Sequence, residues 1–354
     1  MPAKSRKLKV GLIGAGGIVR GAHLAPGWTA LPDVEIVAVA DVHLETAKSL
    51  ARDFRIPHAY ADYRDLLAHK EIDAVDICTP NRVHTPAVLA ALKSGKHVLC
   101  EKPLATTVKE VVAMQKAARQ AKRLLMTAQH QRFGDLAVAC KRWIDAGNLG
   151  KVYHSRIHAT RRNWLPPRPG FIDPKLSGGG PCMDIGVHAL DLGMWFMDFP
   201  RPVRVSGCAR VNFAKGDTIP GAWGEWDRKM FGVEDFASGF VHFEDGSTMV
   251  LEASWLQHQP ENEDMSCRLF GLKAGLEWPS GRFSTTANRA LIDGTIHRQP
   301  GLPKPHTGEI IAFHEAVTQG KPSPVPVEQT VFVIAILEAI MRSSASKREE
   351  RIRL

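Results

Sequence analysis

Leu8-Lys9-Val10-Gly11-Leu12-Ile13-Gly14-Ala15-Gly16-Gly17 is the stretch that decides the fold. An apolar run of strand length ends in a glycine-rich turn, and a helix is expected to begin near Gly17. A strand that enters a helix through Gly14-x-Gly16 forms a cradle for phosphate. Gly14 permits the tight turn, Gly16 lets the backbone approach a pyrophosphate, and the helix start offers unpaired N–H groups with partial positive charge. Gly17, Ile18 and Val19 complete this candidate binding turn. Val19 stands where a GxGxxG pattern has its third glycine, a position that serves helix–strand packing.

From that turn outward, strand and helix alternate. Apolar strands are expected over 34–40, 74–78, 97–100 and 124–128, with helices over 44–54, 85–94 and 107–121 between them. Units of this length imply a parallel sheet with right-handed crossovers, buried on both faces. Asp41 ends the second strand, where a carboxylate can accept both ribose hydroxyls of an adenosine and would repel a 2′-phosphate. The expected cofactor is therefore NAD rather than NADP. Asp41 at this junction also suits a helix N-cap.

The pattern changes after about residue 150. Strands are expected over 151–162, 203–211, 237–244, 248–255 and 265–271, and helices over 186–197, 309–318 and 328–343. This half reads as an open, mostly antiparallel sheet with helices on one face.

At 354 residues the chain is expected to form two domains, 1–128 and 129–354. No apolar run reaches membrane-spanning length, and the basic N-terminus leads directly into the first strand, so no membrane association is expected. The six cysteines form no CxxC pair, which suits free thiols and a cytoplasmic location. The net charge of +9 is scattered, so nucleic-acid binding is not expected.

Three groups carry candidate chemistry. Lys102, in Glu101-Lys102-Pro103, follows a buried strand at the carboxyl edge of the sheet, where open α/β sheets bind ligands. Asp184 and His188 lie four apart on an expected helix behind Gly178-Gly179-Gly180, and so share a face. Bland readings are a solvated lysine, an N-capping Asp and a core His. An Asp-x3-His pair could also bind a metal with Cys182 or Asp191, but no HExxH or CxxC companion accompanies it and no metal is expected.

Read together, these segments resemble the Gfo/Idh/MocA (glucose–fructose oxidoreductase / inositol dehydrogenase) family. The resemblance rests on Val10-Gly11-Leu12-Ile13-Gly14-Ala15-Gly16, on 94–103 ending in Glu101-Lys102-Pro103, and on 178–188 with Asp184-Ile185-Gly186-Val187-His188. It extends through Thr79-Pro80-Asn81-Arg82-Val83-His84, Val233-Glu234-Asp235, Phe243-Glu244-Asp245-Gly246 and Glu252-Ala253-Ser254-Trp255. It implies a Rossmann domain followed by an α/β domain whose large sheet mediates homodimers or homotetramers. It also implies that Thr79, Pro80, Asn81 and His84 line the cofactor groove, that Glu101 and Lys102 lie by the nicotinamide ribose and ring, and that Lys102, Asp184 and His188 are the catalytic trio. Many members carry Asn-x-Arg-Phe where this chain has His130-Gln131-Arg132-Phe133.

The expected reaction is hydride transfer between NAD and a secondary hydroxyl of a sugar, polyol or glycoside, with oxidation at C3 of a pyranoside as first choice. Imidazole titrates near neutrality, which suits His188 as general acid/base. Lys102 would stabilise the developing alkoxide, and these two roles are exchangeable at this stage. Arg156, His158 and Arg162 share parity along one strand. His130, Arg162 and Trp164 are candidate substrate contacts, with Trp164 stacking on a pyranose. Trp223, Trp226 and Phe231 read as a lid, a subunit contact or buried aromatics. The alternatives are a glycoside-cleaving enzyme working through a transient ketone and a non-enzymatic NAD-binding regulator.

Overall fold

A computed structural model describes residues 6–354, which fall into two compact units. The first unit takes the chain through Ala105, then Lys109–His130 and Pro303–Glu328. The second takes Thr106–Val108, Gln131–Leu302 and Gln329–Leu354. The expected division after residue 128 lies close to the end of the first unit's second segment. The return of Pro303–Glu328 to the first unit was not anticipated, because a helix period does not say which sheet the helix covers.

The first unit is built on six parallel strands: β1 (Leu8–Ile13), β2 (Val34–Ala40), β3 (His58–Tyr60), β4 (Ala74–Ile77), β5 (His97–Glu101) and β6 (Leu125–Ala128). Their order, β3-β2-β1-β4-β5-β6, is that of a Rossmann sheet, and it reverses direction between β1 and β4. All four residues of β4 and of β6 are buried, as expected for strands covered on both faces. β3 is a three-residue edge strand, too short to show a period. The helix Pro305–Gln319 packs over the helical segment Val19–Gly27. There the Trp28 and Phe313 rings meet edge to face at 6.0 Å, and Gly27 leaves room for Ile310.

The second unit holds nine strands: β7 (Val152–Arg161), β8 (Pro202–Arg210), β9 (Phe236–Phe243), β10 (Thr248–Ser254), β11 (Glu263–Gly271), β12 (Ala274–Trp278), β13 (Arg282–Ala287), β14 (Ala290–Thr295) and β15 (Glu350–Arg351). The order is β14-β13-β12-β11-β7-β10-β9-β8-β15. Only β7 and β10 pair in parallel, so the sheet is mixed and mostly antiparallel. Along β7 the buried residues are Ser155, Ile157, Ala159 and Thr160, of which the three at odd positions share the face toward the helix Val187–Phe196 (Gly193 there abuts Ile157). His154, Arg156 and His158 occupy the opposite, open face.

Candidate active site

In the first unit, the turn after β1 is built around Gly14. Its φ is +100°, and a Cβ there would lie 2.4 Å from the Cys78 carbonyl oxygen, so no other residue fits. At Gly16 and Gly17 a Cβ would meet nothing within 4 Å. The turn therefore opens onto free space at the helix start. Val19 is fully buried, so a packed side chain fills the role of the missing glycine. The Asp41 carboxylate accepts from the Ala15 N–H at 2.9 Å and from the His43 N–H at 2.9 Å. It is thus tied to the glycine turn as well as to the following helix, and both expected roles coexist. The Thr79 hydroxyl is buried and has no hydrogen-bond partner among the described residues. An open glycine cradle, a carboxylate at the end of β2 and this orphaned hydroxyl fit an NAD molecule at the carboxyl edge of the sheet.

His84 takes a different place from the one expected. It is buried, with Nδ1 2.8 Å from the Pro103 carbonyl oxygen and Nε2 2.8 Å from that of Thr79. It staples two loops of the binding edge to each other. Pro80 is exposed, and Asn81 begins the helix Asn81–Lys93.

Behind Lys102 lies a buried ionic cluster that the sequence reading did not identify. His23 Nδ1 lies 2.8 Å from Asp76 Oδ2, and His23 Nε2 lies 2.8 Å from Glu101 Oε1. Trp28 Nε1 also donates to Asp76 Oδ2, at 2.7 Å. Glu101 Oε2 accepts the backbone N–H of Lys102 at 2.9 Å. On the helix Pro305–Gln319, His306 Nδ1 lies 2.9 Å from Glu309 Oε1, and Glu309 Oε2 has no hydrogen-bond partner among the described residues. The His130 and His306 rings stack at 3.9 Å.

Burial opposes charge on His23, but Asp76 and then Cys78 outweigh it and raise the imidazole well above its usual value. Burial opposes charge on Glu101 as well, yet the His23 hydrogen bond and the neighbouring cations bring its carboxyl down to about 2. Burial and then the His306 charge push His130 down to about 3. Burial raises Glu309. His23, Glu101 and His306 have metal-ligating atoms within 4.8 Å of one another, as do His23, Asp76 and Cys78. A protonated His23 held between two carboxylates has no lone pair to offer a metal.

In the second unit, Asp184 lies in the π-wound turn Cys182–Gly186, which continues into the helix Val187–Phe196 with His188 in its first turn. Trp255 Nε1 donates to Asp184 Oδ2 at 3.0 Å, and Arg161 Nη1 lies 4.0 Å from the same oxygen. His188 is only 8% exposed. Of the glycines ahead of Asp184, Gly180 is sterically required. A Cβ on Gly180 would lie 2.0 Å from the Glu234 carbonyl oxygen, and one on Gly179 would strike the Met183 side chain. The Glu234 carboxylate accepts the Gly180 and Cys182 N–H groups at 2.9 and 3.1 Å, and so fixes the turn that carries Asp184. Burial raises the Glu234 carboxyl. Asp235 accepts three N–H groups, from Asn212, Phe213 and Ala214.

The expected substrate contacts divide. Arg162 is exposed beyond the end of β7. It is Arg161 whose guanidinium lies over the Trp164 and Trp223 rings, at 6.0 and 5.2 Å, while bonded to Glu263. Arg161 continues the odd, helix-facing parity of β7, so parity gave a usable signal for it. Trp164 and Trp223 stack at 5.8 Å, whereas Trp226 and Phe231 are buried. Asp191 is paired with Arg132 through two hydrogen bonds, of 2.7 and 2.6 Å, so it is engaged in a buried ion pair and not available to a metal beside Asp184.

Comparison with known proteins agrees with this geometry. Residues 8–129 match the model of an oxidoreductase family with an NAD-binding Rossmann fold, and residues 137–277 match the GFO/IDH/MocA C-terminal domain. The chain is 32% identical to D-glucoside 3-dehydrogenase of Escherichia coli over 96% of each chain. It is 30% identical to 1,5-anhydro-D-fructose reductase of Ensifer adhaerens over 97% of this chain and 98% of that one. Among solved structures, an oxidoreductase domain protein from Kribbella flavida superposes with a TM-score of 0.83 at 23% identity, covering 99% and 100% of the two chains. Levoglucosan dehydrogenase in complex with NADH superposes at 0.80 and 24%, covering 98% and 99%. With family models matching both parts of the chain and a relative 32% identical over 96% of each chain, the chain belongs to the Gfo/Idh/MocA family of NAD-binding oxidoreductases.

Proposed function

We propose that this protein oxidises a secondary hydroxyl of a glucoside or closely related sugar, at C3 of the pyranose ring, with NAD as the acceptor. The observation that carries the substrate class is the 32% identity, over 96% of both chains, to a D-glucoside 3-dehydrogenase. Gly14, Gly16 and Gly17 hold the pyrophosphate, Ile18 and Val19 continue the binding turn, and Asp41 takes the adenosine ribose. Thr79, Pro80 and Asn81 border the same edge. NAD supplies the nicotinamide ring that receives the hydride.

His188 accepts the hydroxyl proton as the C–H bond breaks. Lys102 donates a hydrogen bond to the same oxygen and stabilises its developing negative charge. Asp184, fixed by Trp255, holds the cationic partner in place. His130 and the Trp164 face are assigned to the sugar. Arg161 supports Trp164, and Arg162 at the rim is the weaker assignment.

The test is NADH formation with a panel of methyl glucosides, free sugars and inositols, followed by identification of the product ketone. Turnover of a glucoside to its 3-keto product is the expected result. Lys102→Ala and His188→Ala are each expected to lower kcat by about 10²–10⁴-fold with NAD affinity retained. Full activity in both variants would overturn the residue roles, and bond cleavage without net NADH would replace the dehydrogenase reading.

The open face of the second unit's sheet presents Arg156, Val250 and Phe240 in one cross-strand row. Phe240 is 39% exposed there. This face is assigned to a homodimer or homotetramer contact. A monomeric mass in solution that Phe240→Glu leaves unchanged would refute it. No helix among the described residues is long and apolar enough to cross a membrane, and a cytoplasmic location is assigned on the free cysteines.

A further inference from the structure

We infer that His23 is the positioning residue for Lys102: a cationic imidazole, clamped between Asp76 and Glu101, that fixes the Glu101 carboxylate and through it the backbone from which Lys102 projects. This rests on the proposed dehydrogenase reading for the role of Lys102. The clamp itself stands on geometry within the first unit.

The chain of contacts is continuous. Asp76 Oδ2 holds His23 Nδ1 at 2.8 Å, and Trp28 Nε1 steadies the same oxygen at 2.7 Å. His23 Nε2 holds Glu101 Oε1 at 2.8 Å. The other oxygen of Glu101 receives the Lys102 N–H at 2.9 Å. One residue further on, the Pro103 carbonyl oxygen meets His84 at 2.8 Å. The backbone on both sides of Lys102 is therefore tied to buried side chains.

A neutral imidazole has one N–H, so it could donate to only one of the two carboxylates. Both ring nitrogens of His23 face carboxylate oxygens, an arrangement that the doubly protonated ring satisfies with two donated hydrogen bonds. Asp76, His23 and Glu101 are all buried, so solvent cannot substitute for a lost partner. The charged and titratable groups facing His23 are Asp76 of β4, Cys78 just beyond it, Glu101 of β5, and Glu309 and His306 of the helix Pro305–Gln319. Lys102 and His130 act on Glu101 from its other side. Among these groups Glu309 is the one whose carboxyl burial raises, while Glu101 is driven fully ionised. The cluster thus holds negative charge on Glu101, the carboxylate that links His23 to the Lys102 backbone.

Two measurements on the full-length protein test this. The first is ¹⁵N NMR of histidine-labelled protein, with the His23 signal identified by its loss in His23→Gln. Both ring nitrogens are expected to remain protonated as pH rises through the ordinary imidazole value. A ring that loses a proton near its ordinary value would overturn the clamp, whatever the enzyme's substrate.

The second is a double-mutant cycle on kcat with NAD saturating. His23→Gln and Glu101→Gln are each expected to lower kcat by about 10- to 100-fold, since displacement of a positioned group by an ångström has that cost. NAD Kd of His23→Gln should change by less than about threefold, because the glycine turn is untouched. The double variant should be no slower than the worse single variant, because His23 acts through Glu101. Additive losses would show that His23 contributes only packing, and would overturn the positioning role. Asp76→Asn, which keeps an oxygen for Nδ1, should fall between wild type and His23→Gln. If no substrate turns over in the wild-type protein, the proposed function fails while the NMR result still decides the clamp.

Discussion

Glu101 and Glu234 are both buried carboxylates that hold a loop bearing a candidate catalytic residue, yet they are held in opposite ways. Glu101 meets a cation, His23, and its carboxyl is brought down to about 2. Glu234 meets two neutral backbone N–H groups and has Asp235 as its neighbour, and burial leaves its carboxyl raised. Amide dipoles orient a carboxylate without fully compensating its desolvation, whereas a formal counter-charge does both. The first unit's edge is therefore fixed by charge, and the second unit's triple-glycine turn by shape.

The largest effect should come from breaking the charge-held side. Glu101→Gln leaves His23 buried with one carboxylate partner instead of two. The expected cost is about 3–5 kcal/mol of stability at neutral pH, as for a broken buried ion pair. The lowered carboxyl fixes the sign of the pH dependence. Glu101 contributes stability above its unfolded value of about 4.5, and that stability is lost as pH falls toward 2. The penalty of Glu101→Gln in urea denaturation should accordingly shrink on acidification through that window.

His130 sharpens the same contrast at milder pH. Its folded value of about 3 lies below the unfolded 6.5, so the native protein binds fewer protons between them. The stability linked to its neutral ring is present above pH 6.5 and lost as pH falls toward 3. The linked loss amounts to as much as ~5 kcal/mol over the full window, and rather more than half of it should be visible by pH 4.5. Urea midpoints at pH 7 and 4.5 measure it. His130→Asn should flatten the slope, and an unchanged slope would remove His130 from the cluster's electrostatics.

How much of this was legible in the sequence follows the same division. The Rossmann strands were readable because β1, β2, β4, β5 and β6 are apolar runs closed by glycine, proline or charge. Gly14 and Gly180 were readable because close backbone approach leaves glycine as the one residue that fits. The outer hairpin strands β13 and β14 were not, since they are largely exposed and carry no apolar alternation. The ionic cluster is assembled from four separate stretches, so no spacing announces it. One local signal was present: Asp76 inside Ala74-Val75-Asp76-Ile77 is a carboxylate in a strand with no solvent-facing side, and such a group demands a buried partner. The return of the helix Pro305–Gln319 to the first unit supplied Glu309 and His306, and sequence distance concealed that.

The smallest effect, and the most discriminating, should come from Glu234→Gln. Glutamine keeps one acceptor oxygen for either the Gly180 or the Cys182 N–H and turns an NH₂ toward the other, which costs about 1–2 kcal/mol. The pH dependence has the opposite sign from that of Glu101→Gln. Because the folded carboxyl of Glu234 is raised, its contribution is full below the unfolded value of 4.5 and is lost as pH rises through the folded one. The penalty of Glu234→Gln should therefore grow on acidification while that of Glu101→Gln shrinks. Chemical denaturation of both variants between about pH 2.5 and 8, followed at tryptophan fluorescence, covers both windows and reads the two slopes together. Parallel slopes would mean that a counter-charge and a pair of amides hold these two carboxylates alike, and the distinction between the two loops would fall.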